Sequence, residues 1–300
     1  MPVVSVVVES LMGNRRRVLL STALMFCAVA VLPAQEILNT LRVSVDVVLV
    51  NVTVTDSRNE TVTGLAQEDF ELFEDKVQQE IRYFSNEDAP VSLGVIFDAS
   101  GSMDEKAAFA RDAAITFLKT STREDEFFLV QFSDYAWLTQ DFTTNVSRVE
   151  NRLASLRTQG STALYDALYL GLSKVRAGLH SRKALLLITD GVDNHSRYSR
   201  GDIRRFLREA DVQVYSIDLG RALIGEFSDI TGGHSYRTSI NGLWETSRKI
   251  AAEMKNQYVL GYVSSNATKD GTWRKIRVKV DPAARKGRLS VRAKDGYYAN

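Results

Sequence analysis

Between residues 90 and 256, short apolar runs alternate with segments whose apolar positions recur every three or four residues. The runs 92–97, 126–132, 184–189 and 213–218 predict buried strands. The segments 105–120, 146–156, 163–177, 200–209 and 242–254 predict amphipathic helices, and 136–142 a short antiparallel edge strand. Buried strands alternating with helices are the pattern of an α/β fold with a mostly parallel central sheet.

Both flanks of that region change to a two-residue period. Residues 42–55 carry Val43, Val45, Val47 and Leu49 on one parity and Val52 and Val54 on the other, which predicts a half-buried strand with a bulge near Asn51. A turn at 56–60 follows, then strands at 69–73 and 79–84 joined through a polar turn around Asp75. Downstream, 257–263, 273–280 and 289–293 predict further strands. Three strands on either side are too few for an independent core. The economical arrangement pairs 257–300 with 42–85 in a sandwich-like all-β domain into which the α/β domain, 90–256, is inserted. Small β-rich segments, 35–89 and 257–300, packed separately on the α/β domain are the alternative.

Ahead of these elements, Arg15, Arg16 and Arg17 precede an almost unbroken apolar run at 18–32, followed by Pro33-Ala34-Gln35. A basic end, a short apolar core and a small residue near the exit predict an export signal over 1–34, cleaved near Ala34. The run falls short of the roughly 20 residues of a membrane-spanning helix; an uncleaved anchor is the alternative. Export places the protein outside the cytoplasm, in the periplasm, at the cell surface or secreted. With 38 basic and 37 acidic side chains, the formal net charge of +1 gives no electrostatic case for nucleic acid or an anionic membrane surface. Membrane contact is expected only through the N-terminal segment. The single cysteine, Cys27, excludes an intramolecular disulfide and a cysteine-based zinc site.

Chemistry concentrates at the ends of two predicted strands. Asp98-Ala99-Ser100-Gly101-Ser102 closes the first apolar run, and Thr189-Asp190-Gly191 closes the third. Gly160-Ser161-Thr162 lies just before a predicted helix. Alone, the first segment reads as a helix N-cap, the second as a turn and the third as another cap. Together and in this order they predict a divalent-cation site, because ligands of open parallel sheets gather beyond the carboxyl ends of the strands. Hydroxyl and carboxylate oxygens are hard ligands that suit Mg²⁺ first, or Mn²⁺ or Ca²⁺. Ser100, Ser102 and Thr162 are expected to bind directly, and Asp98 and Asp190 directly or through water. So few anionic ligands leave the cation electrophilic, and an Asp or Glu carboxylate of a partner protein is expected at the open position. Asp104, Tyr165, Asp193, Asn194 and His195 surround these loops and are candidates for the partner-binding rim. No catalytic residue is expected: there is no His-Glu-x-x-His, nucleophile elbow or P-loop.

These segments resemble the von Willebrand factor type A domains. DASGSM at 98–103 matches the first metal loop of that family, GSTALYDAL around Thr162 the second, and LLLITDGVDN around Asp190 the third. The resemblance spans about 91–256 and implies a Rossmann-like domain, a metal-ion-dependent adhesion site, and coupling of the site to movement of the last helix, 242–254. The flanks, with VVLVNVTVTD, GLAQEDFELFED and QYVLGYVSSN, resemble a bacterial group related to that family and first delineated in Acidobacteria. Lys76 departs from that pattern, standing where a tight turn takes glycine, and implies a looser turn. The expected function is that of an exported, non-enzymatic adhesion protein. The rival is an accessory component of a larger envelope complex whose cation is mainly structural.

Overall fold

A computed structural model describes residues 46–300 except 221, 223, 285 and 286. The predicted export signal and the first residues of the predicted strand 42–55 lie outside the described residues. The described residues open with β1 (Val47–Thr55), β2 (Phe70–Glu74), β3 (Val77–Gln79) and β4 (Ile81–Ser85). The α/β region follows as β5 (Val91–Asp98), α1 (Ala107–Leu118), β6 (Glu126–Phe132), β7 (Ala136–Thr143), α2 (Val146–Ala154), α3 (Leu164–Val175) and β8 (Arg182–Thr189). It continues through α4 (Arg200–Glu209), β9 (Gln213–Asp218), α5 (Gly225–Thr231), β10 (Ser235–Arg237) and α6 (Leu243–Lys255). The chain ends in β11 (Tyr258–Val263), β12 (Trp273–Val280), β13 (Ser290–Ala293) and β14 (Gly296–Tyr298). Among the described residues no helix is long and apolar enough to cross a membrane.

The central sheet has six strands in the order β10-β9-β8-β5-β6-β7, and only the β6–β7 pair is antiparallel. Alternate residues of its buried strands feed two cores. Leu93, Val95 and Phe97 pack with α1, α2 and α6, whereas Ile96, Phe128 and Leu185 pack with α3, α4 and α5. On the second face α3 lies close to β5: a Cβ at Gly171 would stand 2.5 Å from Ile96 Cδ1. Glycine at this position is what close packing of helix and sheet requires.

The remaining strands form two antiparallel four-stranded sheets, β13-β1-β11-β4 and β14-β12-β2-β3, each combining strands from both ends of the described chain. Val50, Val52, Val54, Leu72, Tyr258, Leu260, Tyr262 and Ile276 fill the space between them. Glu74 lies buried there, accepting hydrogen bonds from Tyr262 Oη (2.7 Å) and Tyr297 Oη (2.9 Å) beside the Arg274 guanidinium (3.3 Å). On α6, buried Glu253 accepts from Tyr236 Oη at 2.6 Å and lies 3.9 Å from Arg292 on β13, tying the last helix to the β-sandwich.

Three local expectations need correction. β1 pairs with β11 in unbroken register from Val47 to Val52, so there is no bulge at Asn51. Parity is therefore fixed: Val50, Val52 and Val54 face inward, and Val47 and Leu49 are left 48% and 39% exposed. The turn after β2 is not loose. Glu74 pairs with Val77 across two residues, with Asp75 at φ 47° and Lys76 at φ 74°, the left-handed pair of a type I′ hairpin. The predicted strand 79–84 divides at Glu80, because β3 and β4 belong to different sheets. Gln79 marks the crossing, accepting from Ser265 N at 2.9 Å and donating to Ser265 Oγ at 2.9 Å.

Candidate metal centre

Strand order decides where a site can form. From β5 the chain passes through α1 to β6 on one side; after α3 it returns to β8 on the other side and moves away through α4 to β9. α1 and α4 lie on opposite faces. The order reverses between β5 and β8, and a crevice opens at such a point beyond the carboxyl ends of the strands. Asp98 ends β5, and Asp190 follows directly on β8.

The two strands run parallel, with Phe97 beside Ile188, and this brings Thr189 against Asp98. Thr189 Oγ1 donates to Asp98 Oδ2 at 2.5 Å, and Ser100 N donates to Asp98 Oδ1 at 2.8 Å. The Asp98 carboxyl is fully buried. Burial pushes its pKa above the ordinary aspartate value, against hydrogen bonds from Ser100 and Thr189 that pull it down; the nearby Asp190 charge adds to the rise. A carboxylate desolvated in this way gains from a cation.

The first loop leaves β5 through a single 3₁₀ turn, Gly101–Met103, and α1 begins at Ala107 rather than at the predicted 105. That turn sets Ser100 Oγ and Ser102 Oγ 3.2 Å apart. Neighbouring ligands on an octahedral Mg²⁺ stand about 2.9 Å apart, and those on the larger Ca²⁺ somewhat further. Ser102 Oγ also donates to Asp190 Oδ1 at 2.6 Å, and Lys106 Nζ forms a salt bridge with Asp190 Oδ2.

Thr162 completes the set from the second loop. It is buried, and its hydroxyl lies beside Gly191. A Cβ on Gly191 would stand 3.2 Å from Thr162 Oγ1 and 3.8 Å from Asp98 Oδ2, so the absent side chain leaves a gap bordered by both oxygens. The donor set fits a hard divalent cation: two carboxylates, closely spaced serine hydroxyls, and a threonine hydroxyl facing Gly191. Among the described residues no group of three or more His, Cys, Asp or Glu could hold a metal. The oxygen ligands predicted here are mostly hydroxyls.

The second loop is braced from both sides by residues to which the sequence reading assigned other roles or none. Asp134, just after β6, accepts from Ser161 N at 2.7 Å; Ser161's backbone and hydroxyl bonds hold its carboxyl below the usual range. Asn194 clamps Thr162, accepting from Thr162 N at 2.8 Å and donating its own N–H to Thr162 O at 3.1 Å. Asp193 Oδ1 accepts from Tyr165 N at 3.2 Å and from Ser196 Oγ. Asp104 Oδ1 accepts from Thr158 Oγ1 at 2.7 Å, joining the first loop to the second. The Tyr165 ring is half-buried against Phe227.

Three of the expected rim residues therefore also hold the second loop. Asp193 and Asn194 turn their oxygens to the second loop, and Tyr165 packs beneath it. His195 remains exposed, edge-on to Tyr135 at 6.1 Å, and Tyr135 is itself 69% exposed. Sequence reasoning missed Asp134, Lys106 and Tyr135. Asp134 carries the same signal as Asp98, a carboxylate just past an apolar strand; Lys106 is the first basic residue after the first loop.

Comparison with known proteins agrees with this architecture. Residues 93–192 match the family model described as von Willebrand factor type A domain. Inter alpha-trypsin inhibitor heavy chain 4 of the mouse (Mus musculus) is 30% identical over 153 residues, which cover 46% of this chain and 16% of that protein. A von Willebrand factor type A structure from Catenulispora acidiphila is 18% identical, with a TM-score of 0.50, covering 70% of this chain and 50% of that one. Proximal thread matrix protein 1 of the mussel byssus, solved with zinc in its MIDAS motif, is 16% identical with a TM-score of 0.50, covering 60% and 49%. The chain spans about a sixth of the curated relative's length, 16%. At identities this low, the likeness to the two solved structures is one of fold.

Proposed function

This chain carries a von Willebrand factor type A domain, and from that premise we propose that it is an exported, non-enzymatic binding protein that captures an acidic group of a partner protein through a divalent cation. Asp98, Ser100, Ser102, Thr162 and Asp190 hold the ion, Mg²⁺ in the first instance. The observation that carries this reading is their convergence at the reversal of strand order, with Thr162 Oγ1 and Asp98 Oδ2 both facing Gly191. The mussel byssus protein supports a divalent ion at such a motif, there zinc. Ser102 is exposed while the other four are buried, so the open coordination position faces solvent on its side. His195 and Tyr135 stand at that surface as partner contacts.

A purely structural cation accounts less well for the loops. Asp104, Asp134, Asp193 and Asn194 already tie them together through protein hydrogen bonds, so an ion is not needed to order them. The test is capture of extracytoplasmic proteins by the immobilised chain, in Mg²⁺ and in chelator, beside Thr162→Ala. Recognition through the ion predicts capture in Mg²⁺ that chelator releases and Thr162→Ala weakens at least tenfold. Capture that ignores both chelator and Thr162→Ala would sink the reading.

A further inference from the structure

We propose that Lys106 is a tethered cation that occupies the carboxylate of Asp190 in the ion-free protein, and that it sets the ion concentration at which the site becomes competent. This rests on the reading that Asp98, Ser100, Ser102, Thr162 and Asp190 hold a divalent cation. The Asp190 side chain is only 2% exposed and both of its oxygens are engaged: Oδ1 by Ser102 Oγ at 2.6 Å, Oδ2 by the Lys106 ammonium. An ammonium in direct contact with a predicted metal ligand does part of the ion's electrostatic work before any ion arrives. It stabilises a buried carboxylate that would otherwise stand unpaired next to the second carboxylate of Asp98.

Placement makes Lys106 suited to yield. Its backbone is fixed just ahead of α1, with its N–H donating to Met103 O at 2.8 Å, so the stem always starts at the rim of the first loop. The side chain is 29% exposed, and four flexible methylenes give the ammonium a short path from Asp190 to water. Charge bookkeeping gives the direction. Asp98, Asp190 and Lys106 sum to −1 without an ion and to +1 with a dication bound. Binding therefore sets two positive centres against each other, and the lysine must move outward. Removing its charge removes that opposition. Once displaced, the ammonium lies beside the open coordination position, where excess positive charge favours a partner's carboxylate.

The experiment is a calorimetric titration of the full chain with Mg²⁺ at fixed ionic strength, for wild type, Lys106→Met, Lys106→Gln and Lys106→Arg. Far-UV circular dichroism and urea unfolding in chelator check that each variant folds. Losing a like charge at this distance predicts Mg²⁺ binding about tenfold tighter in Lys106→Met and Lys106→Gln. Lys106→Arg keeps the charge and should stay within about threefold of wild type. In chelator, Lys106→Met should melt below wild type and gain more from added Mg²⁺. Where Lys106→Met fails to fold, the polar and nearly isosteric Lys106→Gln carries the same test. Equal or weaker binding in the two neutral variants overturns the role of Lys106 and leaves the metal site standing. A wild type and variants that bind none of Mg²⁺, Mn²⁺ or Ca²⁺ overturn the metal site, and the lysine's role with it.

Discussion

Gly191→Ala separates the ion site from the stability of the fold. Gly191 lies outside the left-handed region, so an alanine is admissible there without backbone strain. Its methyl would meet Thr162 Oγ1 at 3.2 Å and Thr162 Cγ2 at 3.3 Å, a contact that a shift of a few tenths of an ångström relieves. Losing glycine's unfolded-state freedom returns about 0.4–1 kcal/mol, so the ion-free stability should change by no more than about 1 kcal/mol. The same methyl sits between Thr162 and Asp98 Oδ2, in the gap assigned to the ion. In wild type, free Mg²⁺ at about 100 times its Kd stabilises by roughly 2.7 kcal/mol. For a protein of this size that is a rise in Tm of about 5–10 °C. If the methyl weakens binding about a hundredfold, the same Mg²⁺ stabilises by only about 0.4 kcal/mol, near 1 °C. Thermal melts of both proteins, in chelator and at that Mg²⁺ concentration, give all four numbers. A Gly191→Ala protein that keeps the full Mg²⁺ shift would refute an ion seated between Thr162 and Asp98. One that loses several kcal/mol in chelator would refute the steric argument.

Two further predictions concern the β-sandwich. Lys76 occupies the second left-handed position of the β2–β3 hairpin, so Lys76→Gly should stabilise by about 0.5–1 kcal/mol, read as a higher urea midpoint; no gain would show that the turn carries no strain. Burial raises the pKa of Glu74, but hydrogen bonds from Ser264, Tyr262 and Tyr297 and the Arg274 contact outweigh it and hold the carboxyl below the ordinary glutamate range. A folded pKa below the unfolded one means that Glu74 contributes stability above about pH 4.5, which is lost as pH falls through the lower folded value. Glu74→Gln should cost roughly 3–5 kcal/mol at neutral pH by leaving Arg274 buried without its carboxylate, and should flatten the acid decline in unfolding free energy. Parallel declines for the two proteins below about pH 4.5 would remove Glu74 from the acid response.

How far the sequence could be read depended on whether each signal was local. α4 falls on the predicted 200–209 because its start is set by Ser199, which accepts from Asp202 N while Asp202 returns a bond to Ser199 N. The buried strands were equally legible, each an apolar run bounded by polar residues. α5, β10 and β14 were not: α5 has seven residues, about two turns of helical period, and β10 and β14 have three each, too few to show an alternation. β1 misled for a different reason. Its Val47 and Leu49 are apolar but face outward, and only the register against β11 says which parity is buried.

The candidate site shows the same limit in sharper form. Asp98, Asp134, Asp190 and Asp218 each stand at or just past the end of a strand in the central sheet, and that position alone does not tell them apart. Asp134, beyond β6, takes the amide of Ser161; Asp218, at the end of β9, takes those of Gly220 and Ala222 and pairs with Arg237. Both become braces for loops. Asp98 and Asp190 lie on the two strands between which the order reverses, and there the connections leave on opposite faces. There the two carboxylates meet the hydroxyls of Ser102 and Thr189 and the Lys106 ammonium, with Gly191 beside Asp98. Position at a strand end offers four carboxylates of one kind, and the hydroxyl-bearing runs beside Asp98 and Asp190 mark two of them. Strand order, which no local pattern encodes, is what sets those two side by side.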